Sequence, residues 1–407
     1  MSVGFDAALA LFGGAVAVLS GLSGYLCDKA VGVPVLAVAA GLVGGCAGGL
    51  RVAPGSGVVL WLAGLALLVT LLADGLVVER ELLRRCWRGP VRALAFTMPL
   101  TLGVVGVLAR VLFPQLSSAE AFLLGSVLSP TGPVVSAAVV TSKGVPARLR
   151  HLLNLESGLN DAIASPYVLF FACLAGGAHG PGAAAARAVT LAGGSAWGVV
   201  VGLLVAWVAG WGLSRLPAGG TTRGQHAVTV VGVALAAFGL AGLSGGNGFL
   251  AVFVAAIALA VSSRQLPGGL DDLATGISSV LQVVAYVVIG ALAATVGPGA
   301  SWWRLAVFIA ATLAVARPAA IGVSFLGLAM PRRERAFAAW FGPKAVASLV
   351  YALLVLATVV PHRALIAEVT VYAVLASVLA HSATQHAGTR WLAGATRSRG
   401  PAALPGE

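Results

Sequence analysis

The chain is short of charge. Only 9% of its 407 residues are Asp, Glu, Lys or Arg, against about 25% in a soluble domain, so it lacks the charged residues that would cover a water-facing surface. Acids are scarcest, 13 against 25 basic residues. Cysteine is scarce too. Cys27, Cys46, Cys86 and Cys173 show no paired spacing and three lie in or beside apolar stretches, which argues against a disulfide framework or metal site and for buried free thiols. There is no nucleophile beside a base, no metal-ligand cluster and no phosphate loop, so an enzyme reading fails and no cofactor is expected. A channel reading lacks a repeated carbonyl filter or a charge ring. The N-terminus has no basic leader and no Ala-x-Ala cleavage site, so the first apolar stretch is expected to be retained as a span.

What the chain has in abundance is apolar residues, 59%, and glycine, 54 positions. High glycine suits transmembrane helices that pack closely or are broken. The reading is an all-α polytopic protein in a lipid bilayer. A span takes about 20 apolar residues. Thirteen spans fit, at roughly 6–26, 31–50, 57–78, 92–113, 117–141, 155–175, 187–214, 225–243, 247–263, 273–296, 302–329, 336–359 and 364–385. The linkers are too brief for a soluble domain. Residues 386–407 read as a short, polar, disordered tail.

The net charge of +12 is not a nucleic-acid signal, because the basic residues sit in short loops between spans. With the N-terminus outside, the inside loops hold Lys29, the cluster Arg80 to Arg92, Lys143, Arg148 and Arg150, Arg215 and Arg223, Arg264, Arg332 to Arg335 and the arginines of the tail. The outside loops hold only Arg51, Arg110, Arg187, Arg304 and Arg363. That asymmetry puts the C-terminus in the cytoplasm.

The sixth span carries Leu155-Glu156-Ser157-Gly158-Leu159-Asn160-Asp161, and no charge follows from Ala162 to Ala175. Ionisable groups at membrane depth cost several kcal/mol and mark ion or proton paths. At about 100° per residue, Glu156 and Asn160 share one stripe, Ser157 and Asp161 the next, and the two acids stand about 140° apart. One carboxylate is therefore expected to face helix neighbours and the other a cavity. Glu156 alone could be a snorkelling acid beside a basic loop; Asp161 lies deeper.

Two spans carry helix breakers. The fifth contains Ser129-Pro130-Thr131-Gly132-Pro133 and the twelfth Phe341-Gly342-Pro343-Lys344. Proline removes a backbone donor and clashes with the preceding turn, and freed backbone groups are tolerated at membrane depth only where protein or a water-filled cavity satisfies them. The breaks lie seven spans apart, so their helices cross in opposite directions. Two inverted repeats, spans 1–6 and 8–13 joined by span 7, would produce that. Paired broken helices at corresponding positions point to a transporter's midplane site.

The segment 129–166, SPTGPVVSAAVVTSKGVPARLRHLLNLESGLNDAIASP, resembles the signature of the monovalent cation/proton antiporters, in particular the electroneutral sodium/proton exchangers with an Asn-Asp pair in span 6. LLADGL at 71–76, GNGFLAVFVA at 246–255, ARP at 316–318, WFGPKAVAS at 340–348 and SVLAH at 377–381 extend the likeness, in order, over nearly the whole transmembrane region. The resemblance implies a homodimer with a dimerisation part (roughly 1–91 and 216–296), a linker helix (187–214) and a mobile core (92–175 and 302–385) working by alternating access. It implies that Asp161 binds a cation or a proton, with Asn160 where electrogenic relatives carry a second Asp. Ser157, Thr131 and carbonyls near the break would be further ligands. Asp74 matches a position where some relatives hold an acid near the ion, and Glu156 would pair with Arg317. The chain departs from the family pattern at Gly132, where Asp is usual, and at Ala345, where Gly is common.

The residue chemistry agrees. Alkali cations are hard and take oxygen ligands. A buried carboxylate cannot hold proton and metal at once, so each displaces the other. With Asn160 neutral, one proton should trade for one Na⁺ or Li⁺. K⁺/H⁺ exchange is an alternative, and a transport-inactive sensor or assembly partner is a second, raised by Gly132. Arg317 demands a partner within the span; Glu156 is the best candidate and Asp161 the rival. Without an acid at Gly132 and with Lys344 nearby, the crossing of half-helix dipoles is expected to be more positive and its cation affinity weaker, which Gly132→Asp should reverse. Asp74 is read as either an ion contact or an interfacial acid. Glu120 and Glu368 are read as snorkelling acids at span ends, and His381 as a satisfied helix-end histidine.

Overall fold

A computed structural model describes residues 32–48, 50, 56–78, 80–85, 87–132, 145–177, 181–215, 223–262, 270–296, 299, 301–328 and 330–397, with residues 13, 14, 18 and 21. Almost all of the first expected span lies outside them, as do Cys27, Cys86, Pro133 and the far half of the fifth span, 134–141.

Every other expected span is met by helix. The apolar runs give α1 (Val33–Cys46), α2 (Gly57–Leu76), α3 (Arg88–Leu112), α4 (Ser118–Val127), α5 (Ala147–Ala175), α6 (Pro181–Arg215), α7 (Arg223–Leu243), α8 (Gly248–Ser262), α9 (Leu270–Thr295), α10 (Trp302–Ser324), the half-helices α11 (Arg332–Trp340) and α12 (Val346–Leu356), and α13 (Arg363–Arg397). Seven of the described helices are long and apolar enough to cross a membrane. No strand occurs among the described residues.

Two boundaries differ from hydropathy for one reason. α5 starts at Ala147 rather than near 155, and α13 runs to Arg397. Residues 386–397 are thus not the disordered tail their composition suggests. Both extensions bury side chains in one apolar cluster, in which Leu149, Leu152 and Leu153 of α5 and Leu392 of α13 join Phe325, Phe337 and Phe341. A few buried apolar residues on one stripe outweigh a polar average. Residues 398–407 lie outside the described set.

The inverted repeat is visible in the backbone. α3 contains a π-helical turn at Ala93–Thr97 and α10 one at Thr312–Ala316. Each is followed two residues later by proline, Pro99 and Pro318. A proline ring collides with the carbonyl four residues back, here Ala95 and Ala314, and a widened turn relieves the collision. These are spans four and eleven, again seven apart. The fifth span breaks after α4 and the twelfth between α11 and α12, so each repeat carries a π turn and then an interruption in consecutive spans. Away from the breaks, α1 and α9 pack backbone to backbone. A Cβ at Gly45 would lie 2.7 Å from the Ala294 methyl, and Gly41, one turn earlier in the same Gly-x-x-x-Gly pattern, faces the Val287 carbonyl.

Candidate functional site at the crossing of the broken spans

α4 ends at Val127 because Pro130 cannot continue it. The chain from Leu128 to Gly132 then runs without helix, as it does from Phe341 to Ala345. The two irregular segments touch: the Gly132 N–H donates to the Pro343 carbonyl at 2.9 Å. The irregular segment beyond α4 leaves buried carbonyls without helical donors. Lys344, 1% exposed, meets this need by directing Nζ to the carbonyls of Ser129 (3.3 Å) and Pro130 (3.4 Å). Its charge therefore sits at the negative end of α4. The Lys344 N–H donates to Ser377 Oγ at 2.8 Å. Gly132 and Ala345 face each other so closely that a Cβ on Gly132 would lie 2.6 Å from the Ala345 methyl.

The polar stripe of α5 lies against this crossing. Asn160 and Thr131 grip each other twice: Asn160 Nδ2 donates to Thr131 Oγ1 at 2.8 Å, and the Thr131 N–H to Asn160 Oδ1 at 3.3 Å. Ser157 Oγ donates to the Thr131 carbonyl. Asp161 is 2% exposed, and its Oδ1 has no hydrogen-bond partner among the described residues. Lys344, Asp74, Tyr286 and Tyr351 all stand within electrostatic reach of it. The Tyr351 hydroxyl of α12 donates to the Asp161 carbonyl. Phe253 of α8 packs against α5 at Gly158, where a Cβ would collide with its ring.

Glu156 points to the other side of α5. Its carboxylate accepts two bonds from Arg317 of α10, at 2.7 and 3.0 Å, both side chains being buried. Arg317 Nε donates to the Ala338 carbonyl at 3.2 Å, near the end of α11. Gly342 lies flush against the guanidinium. Asp161, the rival partner, is not among the groups Arg317 bonds.

Asp74 is brought to the same region from α2. Asn154 Nδ2 holds its backbone carbonyl at 3.2 Å, and its Oδ2 is buried with no partner among the described residues. One turn along α2, Thr70 joins Ser278 and Gln282 of α9 in a buried hydroxyl–amide cluster. The site thus holds two carboxylate oxygens without a hydrogen-bond partner among the described residues, one on Asp161 and one on Asp74, with the Lys344 amine in electrostatic reach of Asp161 and hydroxyls and carbonyls nearby. These are hard oxygen donors suited to an alkali cation as cargo. Pro133 lies outside the described residues.

Several residues were missed or misread from sequence. Glu120 is 2% exposed and does not snorkel. It completes a capping box with Ser117 at the start of α4 and accepts from His362; the Ser-x-x-Glu spacing was the available signal. Glu368 is likewise buried, at 5%. His381 is satisfied as expected, between the carbonyls of Ser377 (2.8 Å) and Trp340 (2.9 Å), but it lies within α13 rather than at its end and ties that helix to the end of α11. Tyr351, Asn154 and Asn247 bond backbone carbonyls, which carry no mark in sequence.

The family model for the transmembrane sodium/hydrogen exchanger matches residues 9–387. A K⁺/H⁺ antiporter, NhaP2 of Shewanella sp. strain MR-4, is 23% identical over 319 residues, 78% of this chain. The chain spans 55% of that relative's length. A Na⁺/H⁺ antiporter of Saccharomyces cerevisiae is 27% identical over 107 residues, 26% of this chain and 11% of its own. Among solved structures, the sodium proton antiporter MjNhaP1 of Methanocaldococcus jannaschii superposes with TM-score 0.79 at 19% identity, over 99% of this chain and 100% of the other. Its structure at pH 8 superposes with TM-score 0.77 at 17% identity, over 96% and 100%. The fold is shared with these antiporters, and with the family model matched from near one end to the other, the chain belongs to the transmembrane sodium/hydrogen exchanger family.

Proposed function

We propose that this protein is a secondary antiporter that exchanges a monovalent cation for protons across the cell membrane, with Asp161 taking cation and proton in turn. The observation that carries the reading is the buried Asp161 carboxylate, with an oxygen unpartnered among the described residues, beside the crossing of two interrupted spans. A proton or an alkali ion each neutralises that group, and the two compete for it. Asn160 is uncharged and spends both ends of its amide on Thr131, so it adds no second charge to the cycle. Exchange is then one for one and electroneutral. Ser157, the Thr131 carbonyl and Asp74 line the cation's place, while Glu156 and Arg317 hold core helices together.

Na⁺ or Li⁺ is the proposed cargo. The K⁺/H⁺ relative, matched over most of this chain, supports K⁺ as a second reading. A homodimer, an external N-terminus and a cytoplasmic C-terminus complete the proposal, the orientation resting on the basic loops. The test is reconstitution into liposomes with an internal pH dye, adding Na⁺, Li⁺ or K⁺ to wild type and to Asp161→Asn. Wild type should release internal protons on cation addition and Asp161→Asn should not; a variant exchanging at the native rate sinks the reading.

A further inference from the structure

Pro166 lies inside α5, which continues without a break to Ala175. Proline has no N–H, so the carbonyl four residues earlier, that of Ala162, loses its helical donor. Ala162 follows Asp161 directly and is 0% exposed. A buried carbonyl left without a donor is costly. The missing donor comes from another helix: Asn247 Nδ2 donates to the Ala162 carbonyl at 3.1 Å and to Ser165 Oγ at 2.9 Å.

Asn247 is itself held on two further sides. Its Oδ1 caps α8 by accepting from the Leu250 N–H at 3.2 Å, and its own N–H donates to the Gly194 carbonyl of α6 at 2.9 Å. The neighbouring carbonyl on α5, that of Asp161, accepts from Tyr351 of α12. Two successive carbonyls at the carboxylate's own turn are therefore tied by side chains, from the start of α8 and from α12.

We propose that Asn247 is a positioning residue that replaces the backbone donor Pro166 withholds and so sets the Asp161 turn against Thr131 and Ser157. The proposal rests on the exchange reading for its effect on transport, while its structural content stands apart. With the amide donor gone, the Ala162 carbonyl is stranded, the helix opens at Pro166, and the cation's ligands lose register.

The test is a four-way comparison of wild type, Asn247→Ser, Pro166→Ala and the double variant. Serine keeps the cap on α8 but is too short to reach α5, whereas Pro166→Ala returns the missing N–H. Asn247→Ser should raise the apparent KM for cation about tenfold, the size of one buried hydrogen bond, and quicken amide hydrogen exchange along residues 163–170. The double variant should return both towards wild type, and Pro166→Ala alone should change little. Should Asn247→Ser fail to accumulate, Asn247→Asp, which also caps α8 but has no amide donor, takes its place. An unchanged KM and unchanged amide exchange in the single variant, or no recovery in the double, overturns the proposal. If wild type carries no cation, the exchange reading fails instead, and the amide-exchange arm still decides the role of Asn247.

Discussion

A Cβ at position 132 would stand 2.6 Å from the Ala345 methyl, so the two departures from the family's usual residues fit one another: the side chain absent from one wall of the crossing leaves room for the methyl on the other. Gly132→Asp alone should lower the yield and melting temperature of the folded protein. Gly132→Asp with Ala345→Gly should recover both and tighten the apparent cation affinity in the vesicle assay; equal stability of single and double variants would contradict this. At the Glu156–Arg317 pair, removing one partner strands a buried charge. Glu156→Gln should cost about 3–5 kcal/mol, and Glu156→Leu with Arg317→Met should be milder than either single change, as read from thermal unfolding in detergent. In a chain with so few acids, Arg317 had few partners to choose between, and two could be named from sequence. The targets of Lys344 could not, since Ser129 and Pro130 offer only backbone carbonyls.

At the level of elements, hydropathy found the spans but missed the phase within them. It has no term for a turn widened by one residue, so the π turns before Pro99 and Pro318 were invisible although both prolines were in view. The interruptions after α4 and α11 were legible because proline and glycine act locally. The start of α4 was legible in principle from Ser117 and Glu120, but averaging over a span hid it. That capping box gives a further prediction. Ser117→Ala should cost about 1 kcal/mol. Glu120→Ala should cost more, since it also releases the His362 N–H, bonded at 2.9 Å. Melting curves of the two variants beside wild type measure the order, and the reverse order would count against the cap.

For the whole molecule, net charge decides how the proposed exchange would meet the membrane potential. A carrier moving one net charge feels about 2.3 kcal/mol per 100 mV. With Asn160 neutral and Glu156 cancelled by Arg317, the exchange rate in vesicles should not change when a potassium diffusion potential is imposed under sodium loading. A clear voltage dependence would require a second charge in the cycle, and Asp74 is the group to mutate first. The order of breaks and the odd offset between them could be read from the sequence. How α1 and α9 come together could not, because glycines at 41, 45 and 290 look alike whether they loosen a helix or bring two into contact.

The flush fit of Gly342 on Arg317 has a consequence for how such a chain can diverge. One added carbon there would drive the guanidinium from its seat and leave the acid at 156 without its counterion. The gap in the twelfth span and the Glu156–Arg317 pair are thus coupled, and smoothing the first with an alanine would break the second.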